Sequence, residues 1–202
     1  MRAVLLVTIC LLAKRVLRGE KIYSFHVPEV ECISKGKAHK RYEYGNKVSV
    51  TMNVAKNKGG CFVLHTKSLH GNPYDGHALK EVLEETQDLI GNKIKIVYAD
   101  KGYKGYGVQD TTIYLSGQKR RVYGQIKREL KRRKAIEPII SHMKNGCRMA
   151  INYLKGILGD KLNAIFAAIG FKFRQIAKYF REVFLYLIQS WYSLLNLTQI
   201  PA

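Results

Sequence analysis

Two carboxylates set in basic sequence carry the chemistry open to this chain. Asp100 closes Lys93-Ile-Lys-Ile-Val-Tyr-Ala-Asp100, where apolar residues alternate with lysines and then run on to the acid. That is the pattern of a strand delivering a carboxylate at its end. Glu137 lies in Arg133-Lys-Ala-Ile-Glu137-Pro-Ile-Ile-Ser-His-Met-Lys144. If this stretch is helical, positions 133, 137 and 144 fall within about 40° of one another, so one face presents a cation, a carboxylate and a cation. Acids of this kind hold divalent ions while Arg and Lys hold phosphates, as two-metal phosphoryl transfer requires. A lone Glu among basic residues also reads as a solvated helix face with neutralising charge pairs, and the pattern alone does not choose.

The elements that must position these acids can be read on either side. After Asp100, Lys101-Gly-Tyr-Lys-Gly-Tyr-Gly107 holds three glycines in seven residues, so the backbone can turn sharply there. A short β segment at residues 111–115 follows, and then Gln118 to Lys134, with nine Lys or Arg and one acid, Glu129. Upstream, residues 47–55 and 60–67 are rich in β-branched and apolar residues and are split by Asn57-Lys-Gly-Gly60, which predicts an antiparallel hairpin. Residues 77–90 carry an amphipathic helix, with Gly91-Asn92 as its stop. Asp75 and His77 precede or open that helix. They are weak candidates for metal ligands, and Asp75 is the better candidate for an N-terminal cap. Pro138 is incompatible with an unbroken helix through Glu137, so the helix either restarts with the proline in its first turn or kinks just before the acid.

The chain has 202 residues, 47% of them hydrophobic, enough for one domain with a core and against disorder. Thirty-five basic and fifteen acidic residues give a formal charge of +20, so a polyanion is the expected partner. Ribosomal association or a membrane surface would explain the same charge; its clustering beside the two acids favours DNA. The four cysteines at 10, 32, 61 and 147 have neither zinc-ligand nor paired spacing, and suit a reducing cytoplasm. Residues 1–20 form an apolar and basic leader. Its apolar run is too short to span a bilayer but of signal-peptide length, and we read the segment as non-native, the product of a frame-shift or truncation. Lys35-Gly-Lys37 and His39-Lys-Arg41 are candidate phosphate contacts or plain surface charge. Beyond residue 156 the tail is apolar. Ile165, Phe166, Ile169, Phe173 and Ile176 keep helical spacing, which predicts packing onto the sheet, and residues 183–197 are more apolar than a surface helix should be. That last stretch is expected to be buried, to pair with another chain or to touch membrane.

Arg133-x3-Glu137-x6-Lys144 resembles three of the four residues in the Tyr-x2-Arg-x3-Glu-x6-Lys signature of insertion-sequence transposases of the IS4 and IS5 kind, which carry a DDE catalytic domain; Leu130 stands at the signature tyrosine. Ala99-Asp100-Lys-Gly-Tyr-Lys-Gly, His70-Gly-Asn-Pro-Tyr-Asp-Gly-His77 and Pro28-Glu-Val-Glu-Cys-Ile-Ser-Lys-Gly-Lys-Ala-His39 agree with the same family, in the right order. The similarity covers roughly residues 21–180.

The resemblance implies an α/β, RNase H-like fold, here N-terminally truncated and with a C-terminal helical tail. The expected division is a leader at 1–20, a partial catalytic domain at 21–155 and a helical region at 156–202. It implies Asp100 and Glu137 as catalytic residues and ligands of Mg²⁺ or Mn²⁺, with Arg133, Lys144, Lys101, Arg132 and Lys131 binding DNA. The partners implied are insertion-sequence ends and target DNA, with a homodimer or association with an intact transposase, no membrane, and a cytoplasmic, nucleoid-associated location in a bacterium. The family's first catalytic Asp has no counterpart: residues 1–74 contain no aspartate, only Glu20, Glu29, Glu31 and Glu43. The expectation is therefore a transposase of incomplete triad, cleaving and joining DNA or surviving as a non-catalytic DNA-binding remnant. A basic membrane-surface protein using residues 1–13 and 183–197 is the reading from a different class.

Overall fold

A computed structural model of the chain describes residues 22–25, 27–34, 42–54, 60–103, 108 and 110–197. The leader, the basic 35–41 loop and part of the glycine-rich turn after Tyr103 lie outside the described residues.

Three pairs of strands and four helices make up the described chain. β1 (Glu31–Ser34) and β2 (Tyr42–Gly45) pair antiparallel, as do β3 (Lys47–Met52) and β4 (Val63–Leu69). The second pair is the hairpin expected from its β-branched runs, with Val50 opposite Thr66 and an irregularity between Thr51 and Met52. The third pair is parallel: β5 (Ile96–Ala99) beside β6 (Thr112–Leu115), with Ala99 opposite Leu115. Among the described residues these pairs remain three separate two-stranded sheets instead of one continuous sheet.

α1 (Asp75–Ile90) is what joins two of the pairs. Its buried residues Ala78, Leu79, Val82, Leu83 and Thr86 recur at helical spacing. Thr86 fits this apolar stripe because its hydroxyl donates back to the Val82 carbonyl at 2.6 Å, leaving only its methyl to be packed. Gly91 ends the helix at φ 65°, a left-handed turn that glycine adopts without the Cβ penalty. Leu79 and Leu83 form one apolar core with Ala99 and Ile113 of the parallel pair.

The basic segment does not fold as one helix. α2 (Gly124–Arg132) passes through a 3₁₀ turn at Arg133–Ala135 before α3 (Ile136–Gly146) begins. Pro138 is then the third residue of α3, where its missing N–H is one that a helix start leaves unbonded anyway. Arg132, Arg133, Ala135 and Ile136 all keep right-handed helical backbone, so the interruption is a 3₁₀ tightening just before Glu137, with the proline in the first turn of α3.

α4 (Gly156–Leu197) is 42 residues, about 63 Å long at 1.5 Å per residue. The face it turns inward is not the predicted one. Ala164, Ala167, Ala168 and Phe171 are buried, the last three packing with Val63 of β4 and Ile139 and Met143 of α3. Ile165, Phe166, Ile169, Phe173 and Ile176, expected against the sheet, are 40–65% exposed. Alanines let the helix backbone approach β4 and α3 closely, which the larger side chains would prevent, so the small face packs and the large one is left outside. Among the described residues no helix is long and apolar enough to cross a membrane.

Candidate active site

Parallel pairing creates the surroundings of Asp100. β5 ends at Ala99 and β6 at Leu115, opposite each other, so the residues that follow are neighbours: Ser116 N–H donates to the Ala99 carbonyl at 3.0 Å. The Ser116 hydroxyl donates to Asp100 Oδ1 at 2.6 Å, and the Lys101 backbone N–H donates to the same oxygen at 2.7 Å. The hydroxyl bond most of all, then the backbone bond, hold the Asp100 carboxyl below its ordinary pKa; partial burial works against them, and the charges of Arg133 and Lys101 add to the lowering. Asp100 is therefore an anion throughout the neutral range.

Arg133 is the link between the two predicted acids. It is close enough to Asp100 to act on its titration, and its Nη2 lies 4.0 Å from Glu137 Oε1, with Glu137 69% exposed. At that length and exposure the ion pair contributes at most a few tenths of a kcal/mol. Arg133 itself is only 16% exposed, and its Nε is buried with no hydrogen-bond partner. A buried donor left unsatisfied costs about 1–3 kcal/mol, so the guanidinium is held where an acceptor oxygen would stabilise it.

The remaining predicted residues fall into place unequally. Lys144 is exposed on α3, seven residues and two turns beyond Glu137 and so on the same face. Lys131 and Arg132 are exposed in the last turn of α2. Lys101 is exposed and lays its chain over Gly117, whose φ of 81° turns the chain after β6; a Cβ there would lie 2.7 Å from Lys101 Cε. Thus Arg133 pairs loosely with Glu137 and its charge is felt at Asp100, while the other cations are exposed on neighbouring elements.

Asp75 does not cap α1. Tyr74 is the N-cap, without a side-chain cap bond, and Asp75 is the first helical residue. Its Oδ1 instead accepts from Lys47 Nζ at 3.0 Å, while Oδ2 lies 2.7 Å from where a Cβ on Gly102 would be. Asp75 thus braces the turn that follows Asp100. Tyr103, half-buried in that same turn, has its pKa raised mainly by burial, with the Ser49 side chain of β3 opposing the rise. His77 is exposed and packs edge-on to the Tyr74 ring at 5.4 Å. Glu31 accepts from the Gly71 N–H and Glu29 from the Gly156 N–H, so one oxygen of each is engaged by backbone.

Ser116 and Glu129 were missed in the sequence. Ser116 follows a strand whose parallel partner ends in Asp100, and that equal length was the available signal. Glu129, the single acid of the basic segment, accepts from Tyr98 Oη at 2.5 Å and from Gln125 at 2.8 Å, anchoring α2 to β5. A cleft of about 640 Å³ between β4, α1 and α4 lies elsewhere, and its charged groups neutralise each other: Lys67 reaches both Glu81 and Glu85 at 2.6 Å, and His65 reaches Glu85 at 3.3 Å.

The donor chemistry suits a hard divalent cation, because Mg²⁺ takes one or two carboxylates and completes its shell with water and phosphate oxygens. Among the described residues no group of three or more His, Cys, Asp or Glu side chains gathers for a metal ion.

Carboxylates on an α/β frame beside a basic helix define the class: proteins that handle phosphodiesters. Residues 24–169 match the family described as transposase DDE domain, and the chain belongs to that family. Comparison with curated proteins and with solved structures finds no match. Family membership makes the protein a DDE-type transposase, with DNA as its partner; such enzymes have an RNase H-like fold and generally use divalent metals such as Mg²⁺.

Proposed function

We propose that this chain is a transposase of the IS5-like kind in which Asp100 and Glu137 are the second and third carboxylates of the catalytic centre. The observation that supports the reading is Arg133, whose charge helps lower the Asp100 pKa and whose guanidinium lies 4.0 Å from Glu137. The Ser116 and Lys101 bonds keep Asp100 ionised as a ligand. Bound Mg²⁺ would supply an activated water for cleavage and charge neutralisation at the scissile phosphate. Arg133, with its unsatisfied Nε, and Lys144 hold phosphate oxygens at the bond that is cut. Lys131 and Arg132 on α2, with Lys101, track the flanking DNA backbone.

A third carboxylate is not accounted for: the sequence has no aspartate before Asp75, and Glu29 and Glu31 are bonded by the backbone at Gly156 and Gly71. That observation favours a second reading, a DNA-binding protein without cleavage. One experiment separates them. Supercoiled plasmid is incubated with the purified chain and Mg²⁺ or Mn²⁺, beside Asp100→Asn and Glu137→Gln, while binding to linear duplex is measured from 50 to 200 mM salt. Metal-dependent nicking lost in both variants, with binding intact, establishes the catalytic reading. Binding without nicking, weakening by roughly 10³-fold or more across that salt range if six to ten phosphates are engaged, establishes the second. Nicking unchanged in both variants would remove Asp100 and Glu137 from the site.

A further inference from the structure

The outer face of α4 repeats with a coiled-coil period. Phe166, Ile169, Phe173, Ile176, Phe180, Val183, Leu187, Ser190 and Leu194 follow one another at alternating steps of three and four residues. Such a 3.5-residue repeat keeps one stripe facing a single partner helix as the two supercoil, and four heptads of it are enough to specify pairing. Among the described residues nothing covers the stripe. Phe166 is 59% exposed, Phe173 65%, Phe180 64%, Leu187 58% and Leu194 63%, whereas the opposite face, Ala164, Ala167, Ala168 and Phe171, is buried in the body. α4 is therefore a two-sided helix, and a helix apolar on both sides calls for burial on both.

We infer that this stripe is a self-association surface and that its partner is the same stripe of a second copy. Three observations select that occupant. The first is area. With about 200 Å² for a fully exposed aromatic side chain and somewhat less for an aliphatic one, the exposed fractions of the apolar stripe residues leave roughly 800 Å² per copy, what each partner contributes to a stable complex. That exceeds the apolar patch of roughly 300–600 Å² found on an ordinary monomer. The second is charge. The chain carries +20, which sets most of its surface against a second copy, yet no charged residue occurs between Val183 and Leu197, so this stretch can approach its own kind. DNA has nothing to attract it there. The third is composition. Interfacial membrane helices set their apolar face against one rich in Lys and Arg; residues 183–194, with Phe184, Leu185 and Trp191 also exposed beside the stripe, carry no basic face.

The surface stands independently of the carboxylate assignment, so loss of pairing and loss of nicking are separate results. The test is the mass of the full chain by light scattering at about 20 μM in 0.5 M salt, free of nucleic acid and detergent. A dimer is expected. Phe180→Glu with Leu187→Glu should raise the dissociation constant at least ~100-fold and yield monomer. Leu185→Glu with Tyr192→Glu, equally exposed but off the stripe, should leave the dimer intact. A photo-crosslinking residue at position 180 should give a covalent dimer in otherwise unaltered protein, and one at position 192 should not, which covers the case of a charged variant that fails to fold. A monomeric parent, equal dissociation by both pairs of variants, or binding to neutral lipid vesicles through the stripe without self-association would overturn the inference.

Discussion

Gly102→Ala isolates the brace behind Asp100. A Cβ at position 102 would lie 2.7 Å from Asp75 Oδ2, closer than nonbonded atoms tolerate, with Cγ in ordinary contact at 3.6 Å. The backbone there needs no positive φ, so the whole effect is steric and falls on the Asp75 carboxylate. That carboxylate is on a short side chain tied to Lys47 at 3.0 Å, and Lys47 is also held by the Pro73 carbonyl at 2.8 Å. To relieve the overlap, Asp75 must rotate away and lose Lys47. The pair is partly exposed, 25% and 35%, so it contributes no more than ~1 kcal/mol. Crowding a packed turn adds about 1 kcal/mol, the low end of the overpacking range because one side chain can yield. We therefore expect Gly102→Ala to destabilise by about 1–2 kcal/mol in urea unfolding at pH 7. Asp75→Ala alone should cost under ~1 kcal/mol, and the double variant should be more stable than the sum of the singles by about 1 kcal/mol. Strict additivity would refute the brace.

Two further outcomes test the frame. Met143 is fully buried between Val63, Ile139, Ala167, Ala168 and Phe171, so Met143→Ala should cost about 2–5 kcal/mol by denaturant unfolding with unchanged slope; a loss below 1 kcal/mol would mean that α3 does not pack on α4 as described. Burial lowers the His65 pKa below 6.5 despite the opposing charge of Glu85, with nearby Lys67 adding to the lowering, so the unfolded chain binds the extra proton first. Stability should be full above pH 6.5, fall as pH drops from there to the folded pKa, and level off below it; His65→Gln should flatten that segment of the stability profile, and an unaltered segment would assign the acid sensitivity elsewhere.

What the sequence made legible follows from the strength of local signals. The β3–β4 hairpin and α1 were readable because β-branched runs and a 3.6-residue stripe are bounded by glycines at 59–60 and 91. Asp100 was readable as the end of a strand. The interruption at 133–135 was legible only through Pro138, which restricts the turn before it. α4 misled because both of its faces are apolar: periodicity favoured the stripe of large residues, while packing favoured the alanines that permit close approach. Ser116 could not be found without knowing that β5 and β6 are parallel, since sixteen residues separate it from Asp100. Asp75 matched the composition of a helix cap but is used by Lys47 and by the turn at Gly102.

The parallel pair explains why the acid and the cations belong to one unit. Parallel strands are normally covered on both faces, and a lone pair of four-residue strands has little stability of its own. Ala99 and Ile113 face α1. On the alternate positions Tyr98 and Tyr114 stack at 5.7 Å, and Tyr98 donates to Glu129 of α2. α1 therefore covers one face while α2 is tied to the other. Tyr98 is two residues before Asp100, and Glu129 is two residues before Lys131 and four before Arg133. One hydrogen bond between an otherwise unpromising tyrosine and the single acid of a basic helix thus fixes the proposed DNA-binding cations relative to the carboxylate. The acid embedded in the basic segment is there to place the charges around it.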